Sequence, residues 1–487
     1  MSTAMGLETR NYIAGDWCEG AGTVANVNPS DLSDVIGHFA QGSAADLDRA
    51  VAAAREAQPK WWAAGIQRRH DALMQIGTEL MARSVEIGAL LSREEGKPLA
   101  EGKGEVYRAG QFFTWFAGEA LRCHGDQAES TRPGIEIEVR REPVGVAAIV
   151  TPWNFPVATP AWKIAPALAY GNAVVWKPAN LTPASAVALA QVIAGSGLPA
   201  GTFNLVMGAG RALGDRLVGH RDVAAVSFTG SVEVGHGIAA RVLTNRAKLQ
   251  MEMGSKNPML IMDDCDMELA VAHACNAAFG GTGQKCTAAS RLIVHRKVLA
   301  EFTDRLVQAA QALRVGHALA EGTQIGPVVS EAQLAANLDW VRRGQSEGAE
   351  LLTGEQRLDR PTEGHFMAPA VFAGTTNDMA MNREEMFAPV TCLIPADSYA
   401  EALAIANDTP FGLTAGIMTR SLARAAHFRA NMRAGCVMVN LPTAGTDYHV
   451  PFGGRGLSSF GPREQGRYAA EFFTTVKTAY MAAGVPE

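Results

Sequence analysis

The most informative features of this chain are at first the missing ones. Nowhere in its 487 residues do eighteen or so apolar residues run together, which excludes a transmembrane helix. The N-terminal stretch MSTAMGLETRNYIAGDW has no basic segment followed by an apolar run, so no secretory leader is expected. There is no excess of positive charge. The formal net charge is −6, which leaves no basic footprint for nucleic acid and makes small molecules the expected partners. Cysteine is sparse, with seven residues, odd in number and scattered. No CxxC or paired histidines fall at zinc-ligand spacing. Free thiols in a reducing, cytoplasmic setting follow, with no metal site. Internal repeats, a GxGxxG fingerprint and a Walker A loop are absent too.

A composition 47% hydrophobic and 19% charged is that of a globular chain, and its length suits two or three domains. Ser43 with Asp46 reads as a helix start, followed by Leu47, Val51 and Ala54 on one face. Residues 66–95 read as one long amphipathic helix and 98–121 as another. Between Val146 and Met253, short apolar runs (146–150, 173–176, 203–206, 223–228, 249–253) alternate with helical stretches, predicting a parallel sheet covered on both faces. A second such pattern runs from about 258 to 440. Two strand-like segments, 135–142 and 471–480, have no obvious place in either sheet. They are expected to pair with each other or with another subunit, since an unpaired strand edge is an aggregation hazard.

Ligands on open parallel sheets lie at the carboxyl ends of strands. Thr151-Pro152-Trp153-Asn154, Lys177-Pro178 and Thr229-Gly230-Ser231 all follow strands. The turn Phe228–Gly235 feeds a helix whose N-terminus suits a pyrophosphate, although a glycine turn alone is more often just a turn. In FGGTGQKCTAA (279–289), glycines and small residues surround Cys286 and leave its thiol accessible. A thiolate is the nucleophile that covalent carbonyl chemistry needs, but an arbitrary cysteine is more often a small buried hydrophobe. Glu252, set among Met251, Met253 and Gly254, is poorly explained as a solvated carboxylate. Apolar surroundings should raise its pKa.

Seven collinear segments, TPWNFP (151–156), KPAN (177–180), FTGS (228–231), MEMGSKNP (251–258), GQKC (283–286), EEMFAPV (384–390) and PFGG (451–454), closely resemble the aldehyde dehydrogenase superfamily. The resemblance implies an α/β fold: a Rossmann-like dinucleotide-binding domain (1–120 and 144–251), a catalytic α/β domain (252–467) and a β oligomerisation ribbon (121–143 and 468–487). It implies NAD(P)-dependent oxidation of an aldehyde through a thiohemiacetal and thioester on Cys286, with Asn154 as oxyanion donor and Glu252 as base. Thr151, Pro152, Trp153, Lys177, Asn180, Gly210, Phe228, Thr229, Gly230, Ser231, Gly254, Glu385 and Phe387 would meet the cofactor. Phe112, Trp162, Lys285, Thr287, His449 and Phe452 would meet the substrate.

Two positions depart from the common pattern. Asn180 stands where NAD-preferring members commonly carry glutamate, so both NADP and NAD should be accepted. After PFGG the chain reads Arg455-Gly456 where a lysine is often found. The runs 283–294 and 440–454 are most similar to α-ketoglutaric semialdehyde (2,5-dioxopentanoate) dehydrogenases. Arg108, His449 and Arg455 are candidate partners for that substrate's carboxylate. Another semialdehyde, an aromatic or aliphatic aldehyde, a CoA-acylating reaction and a catalytically retired scaffold are the alternatives. A homodimer or homotetramer is expected.

Overall fold

A computed structural model describes residues 6–123 and 125–484, with 210–212 described in backbone only. Two sheets dominate. The first has a parallel centre in the spatial order Lys248–Met253, Ala225–Gly230, Val146–Val150, Ala173–Lys177, Phe203–Leu205. The strand order therefore reverses between Val146–Val150 and Ala225–Gly230, as in doubly wound dinucleotide-binding sheets. Side chains alternate between two cores. Ala147 and Ile149 pack on one face, and Val146 and Ala148 on the other. Burial on both faces is why this strand is a continuous apolar run.

The second sheet runs Glu350–Thr353, Ala370–Ala373, Val390–Ala396, Ala289–His295, Asn257–Ile261, Thr414–Met418, Cys436–Val439, parallel except at its first strand. The short link Gly254–Lys256 leads from the last parallel strand of the first sheet into the second sheet. The carboxyl edge of one sheet thereby faces the amino edge of the other.

The expected capping box is present: Ser43 Oγ accepts from the Asp46 N–H at 3.2 Å, and Asp46 accepts from the Ser43 N–H at 2.8 Å. The long helix expected over 66–95 is instead two, Gly65–Ala82 and Ser84–Glu95, broken at Arg83. Each piece makes its own close glycine crossing with helix Leu99–Arg122. A Cβ on Gly77 would lie 2.7 Å from the Gly110 carbonyl oxygen, and one on Gly88 would lie 2.6 Å from the Lys103 Cα. The break lets the two segments meet different turns of that helix.

The two orphan segments pair with each other. Thr474–Ala482 lies antiparallel to Ile135–Pro143, which also pairs with Asp126–Glu129. The tail strand starts three residues later than expected, because Ala469–Phe473 forms a helical turn that buries Phe472 and Phe473 in the first core. Ser459–Phe460, within the stretch expected to belong wholly to the second unit, pairs with Lys248–Met253 of the first sheet. Among the described residues no helix is long and apolar enough to cross a membrane.

Candidate active site

A cavity of about 770 Å³ lies where the two sheet edges face each other. The first sheet contributes the loop after Val146–Val150, the turn after Ala225–Gly230, and Glu252 on Lys248–Met253. The second contributes residues just before its strands: Cys286 ahead of Ala289–His295, Glu385 and Phe387 ahead of Val390–Ala396, and Leu413 ahead of Thr414–Met418. The carboxyl-end rule therefore holds for the first sheet only; the nucleophile stands at the amino edge of the second.

Backbone conformation fixes the Cys286 loop. Gly281, Thr282 and Gly283 are all left-handed (φ 59°, 59° and 67°), and a Cβ on Gly283 would sit 2.2 Å from the Ala388 carbonyl oxygen. Thr282 carries a strain that glycine would not. Asn257 Nδ2 donates to the carbonyls of Cys286 (2.7 Å) and Ala288 (2.9 Å), and Thr443 Oγ1 donates to that of Thr287 (2.7 Å). The thiol is partly exposed, towards the cavity it lines. Burial, then the charges of Glu385 and Glu252, push its pKa up to about 12. At that value the sulfur is a thiol at neutral pH and needs a base to attack.

Glu252 is 3% exposed, as its apolar neighbours implied. Burial, then the nearby Glu464, raise its pKa well above the ordinary carboxylate value, while Ser459 Oγ donates to it at 2.5 Å and pulls the other way. Glu464 itself is buried against Lys163 and accepts from Trp162 Nε1 at 2.6 Å. Asn154 is 5% exposed. Its Nδ2 donates to the Gln284 carbonyl at 3.0 Å, which occupies one of its two N–H groups.

On the other side, Glu385 accepts from the Ser255 N–H at 2.9 Å, and burial brings its pKa to about 7. A Cβ on Gly254 would fall 1.8 Å from the Glu385 carboxylate, so any larger residue there would displace that carboxylate. Phe387 is left-handed (φ 53°) and meets Trp153 edge-on at 5.5 Å. Ser231 caps helix Val232–Asn245, whose first turn lines the cavity, and the buried Thr229 Oγ1 has no hydrogen-bond partner among the described residues. An orphaned hydroxyl beside a helix N-terminus fits a phosphate-bearing ligand.

The cavity wall thus brings together Cys286, Glu252, Asn154, Thr151, Pro152, Trp153, Phe228, Thr229, Gly230, Ser231, Gly254, Glu385, Phe387, Phe112, Trp162, Lys285, Thr287 and Phe452. Lys177 and Asn180 lie outside it, farther along the same sheet edge, and Gly210, described in backbone only, opens the helix Gly210–Val218. Lys177 is 9% exposed, and burial lowers its pKa to about 8. With its amide oriented to satisfy both atoms, Asn180 donates to the Gly208 carbonyl (2.6 Å) and accepts from the Ala209 N–H (3.2 Å), tying down the loop before the helix that opens at Gly210.

His449 and Arg455 are not on the wall either; the His449 ring instead meets Trp115 at a tilt and Tyr448 edge-on. Lys285 is on the wall, but its ammonium is held by Glu101 at 3.2 Å. Arg108 is different. Nη1 donates to the Thr446 carbonyl at 2.6 Å, and no carboxylate pairs with the guanidinium among the described residues. Sequence reasoning missed Lys97, Glu101, Glu105, Ser459 and Glu464. Most of the groups they hold are distant in the chain, such as Asn154 from Lys97, Val157 from Glu105 and Glu252 from Ser459.

The sequence profile of the Aldehyde dehydrogenase family matches residues 17–479. The chain is 41% identical over 475 residues to the α-ketoglutaric semialdehyde dehydrogenase of Bacillus subtilis, with 97% of each chain covered. It is 39% identical over 479 residues to the α-ketoglutarate semialdehyde dehydrogenase of Haloferax volcanii, covering 97% of this chain and 98% of the other. Among solved structures, it matches the betaine aldehyde dehydrogenase of Staphylococcus aureus in complex with NAD+ at a TM-score of 0.96 and 31% identity, over 99% of this chain and 96% of that one.

Proposed function

The chain belongs to the aldehyde dehydrogenase family and is an oxidoreductase acting on aldehydes; from that premise we propose that its substrate is a short aldehyde with a carboxylate at the far end, α-ketoglutaric semialdehyde foremost. The observation that carries this reading is Arg108, a cavity-lining guanidinium with no carboxylate of its own. A planar fork of donors suits a carboxylate. The names of the Bacillus and Haloferax relatives support the same substrate.

In the mechanism we assign, Glu252 takes the Cys286 proton as Sγ attacks the aldehyde carbon, giving a thiohemiacetal. The free N–H of Asn154 and the backbone N–H of Cys286 donate to the oxygen as charge develops on it. A bound nicotinamide dinucleotide would supply the hydride acceptor for the thiohemiacetal's collapse to the thioester. Once Glu252 has released that first proton to solvent, it takes a proton from the water that attacks the thioester, and the carboxylic acid leaves as the Cys286 sulfur is freed; a carboxylate with a raised pKa suits this step near neutrality. Thr229, Ser231 and the helix N-terminus behind them would hold the pyrophosphate, Glu385 the nicotinamide ribose, and Lys177 with Asn180 the adenosine end. NAD and NADP are both accepted in this reading. The first sheet then forms the dinucleotide-binding unit and the second the catalytic unit.

The ribbon would join copies into a dimer or tetramer, since Val476, Tyr480 and Met481 are each more than half exposed on it. Substituting Val476 and Tyr480 with glutamate should yield monomers by light scattering, whereas an unchanged oligomer refutes that role.

Steady-state kinetics on Arg108→Met test the substrate. The kcat/KM for α-ketoglutaric semialdehyde should fall about 10²-fold, the scale of a lost buried charge pair, with a neutral aldehyde of similar length nearly unaffected. Equal losses on both aldehydes would refute the carboxylate role.

A further inference from the structure

Asn154 sits in a loop, where a side chain is seldom held as firmly as on a strand. Yet the segment Asn154–Ala158 is gripped at both ends by one buried ion pair. Lys97, 4% exposed, donates from Nζ to the Asn154 carbonyl at 2.6 Å and to Glu105 Oε2 at 2.7 Å. The other oxygen of Glu105 accepts from the N–H groups of Val157 (2.9 Å) and Ala158 (3.0 Å). Between them Pro156 has no N–H, and Phe155 lays its ring 4.2 Å from the same ammonium. Glu95, also buried, lies 3.8 Å from Lys97 Nζ and accepts from the Lys97 N–H at 2.9 Å.

A buried ion pair is weak evidence for stability, because desolvation offsets most of its attraction. A mere filler of that space would be apolar. Here each charge instead holds main-chain groups of the loop that carries the oxyanion donor.

We propose that the Lys97–Glu105 pair is a positioning device for the Asn154 carboxamide, aiming its free N–H at the oxygen of the thiohemiacetal. The inference rests on Asn154 being the oxyanion donor. Lys97 fixes the backbone at Asn154, while Gln284 fixes the side chain from the other direction. Loss of either restraint lets the amide turn away from the reacting carbonyl. Displacements of about 1 Å at such a group cost on the order of 10²-fold in rate.

A double-mutant cycle tests this. Asn154→Ala alone should lower kcat/KM by about 10²–10³-fold, as for other oxyanion donors. Lys97→Met should lower it about 10–10²-fold in the wild-type background but less than about threefold in the Asn154→Ala background, because two groups acting as a unit are not additive. Lys97→Arg should restore part of the loss. Alkylation of Cys286 by iodoacetamide, which develops no oxyanion, should change little.

Should Lys97→Met be insoluble through its stranded carboxylate, Lys97→Met/Glu105→Gln removes both charges together and replaces it in the cycle. A loss of equal size in both backgrounds makes the pair structural and overturns the proposal. An Asn154→Ala variant as active as wild type overturns the oxyanion reading itself, and the proposal with it.

Discussion

The two walls that meet at the cavity are made rigid by different means. On the second-sheet side, backbone shape holds the groups: three successive left-handed residues before Cys286, a left-handed Phe387, and a glycine at 254 pressed against Glu385. On the first-sheet side, buried side chains hold them: Lys97 and Glu105 around Asn154, and Ser459, Glu464 and Lys163 around Glu252. A wall made of backbone needs residue types that tolerate unusual φ or close approach. A wall made of ion pairs needs partners that burial brings together from anywhere in the chain.

Both walls converge on one sulfur, so the largest effect is expected there. Cys286→Ala should cost at least about 10³-fold in turnover, as for the loss of other covalent nucleophiles, while dinucleotide binding followed by fluorescence or calorimetry stays intact. Turnover above about a hundredth of wild type would leave the covalent route without support.

Next in size is the backbone wall. Gly283→Ala places a Cβ against the Ala388 carbonyl and strains a φ of 67°, so the whole Cys286 loop must shift. We expect a loss of about 10²-fold in kcat/KM with slowed alkylation of Cys286. An alanine variant with normal alkylation and turnover would show that the loop is not held by its backbone.

That contrast decides what could be read from the sequence. The glycine-bearing motifs GGTGQKC, MEMG and PFGG are local, so the sequence alone marks the backbone wall. The parallel sheets were legible for a similar reason: strands buried on both faces are unbroken apolar runs, as in 146–150 and 258–262. The Lys163–Glu464 pair spans 301 residues and Lys97 to Asn154 spans 57, so no spacing announces them. Glu94 and Glu95 close the helical stretch read over 66–95, and both are only about 1% exposed, a burial that nothing local in the sequence signals. The break at Arg83 escaped notice because the apolar period continues across it. What interrupts the helix is the position of Gly77 and Gly88 against another helix.

The side-chain wall can be probed through pH. Glu252 works as a base only when deprotonated, and its pKa is raised, so activity should fall as pH drops through that raised value. Ser459 donates to the charged form and holds the value down. Ser459→Ala should therefore move the ascending limb of the kcat profile to higher pH by about one unit, the scale of one hydrogen bond to a charged group. In Glu252→Gln that limb should disappear. The same raised value makes Glu252 a stability cost above its unfolded pKa, since the unfolded chain gives up this proton first as pH rises. Glu252→Gln should thus melt higher than wild type at pH 7 but not at pH 4. An unmoved limb in Ser459→Ala would mean that the serine does not tune the base.

The smallest effect concerns the far end of the side-chain wall, where Asn180 joins the loop before Gly210. Its amide both donates and accepts there, and a glutamate could only accept, losing the bond to the Gly208 carbonyl. Glutamate would also add a negative charge near any 2′-phosphate, whereas Lys177, with a pKa of about 8, is still protonated at pH 7 and attracts one. A charge pair about 4 Å apart is worth roughly 1 kcal/mol in water and about 4 at an effective dielectric of 20. Partial exposure of this edge favours the lower end. Asn180→Glu should therefore lower the NADP/NAD ratio of kcat/KM by about tenfold, which corresponds to 1.4 kcal/mol. Asn180→Asp shares the lost donor but has a shorter reach, so it separates repulsion from loop loosening. If aspartate and glutamate slow both cofactors alike and leave the ratio unchanged, Asn180 only holds the loop and does not read the phosphate.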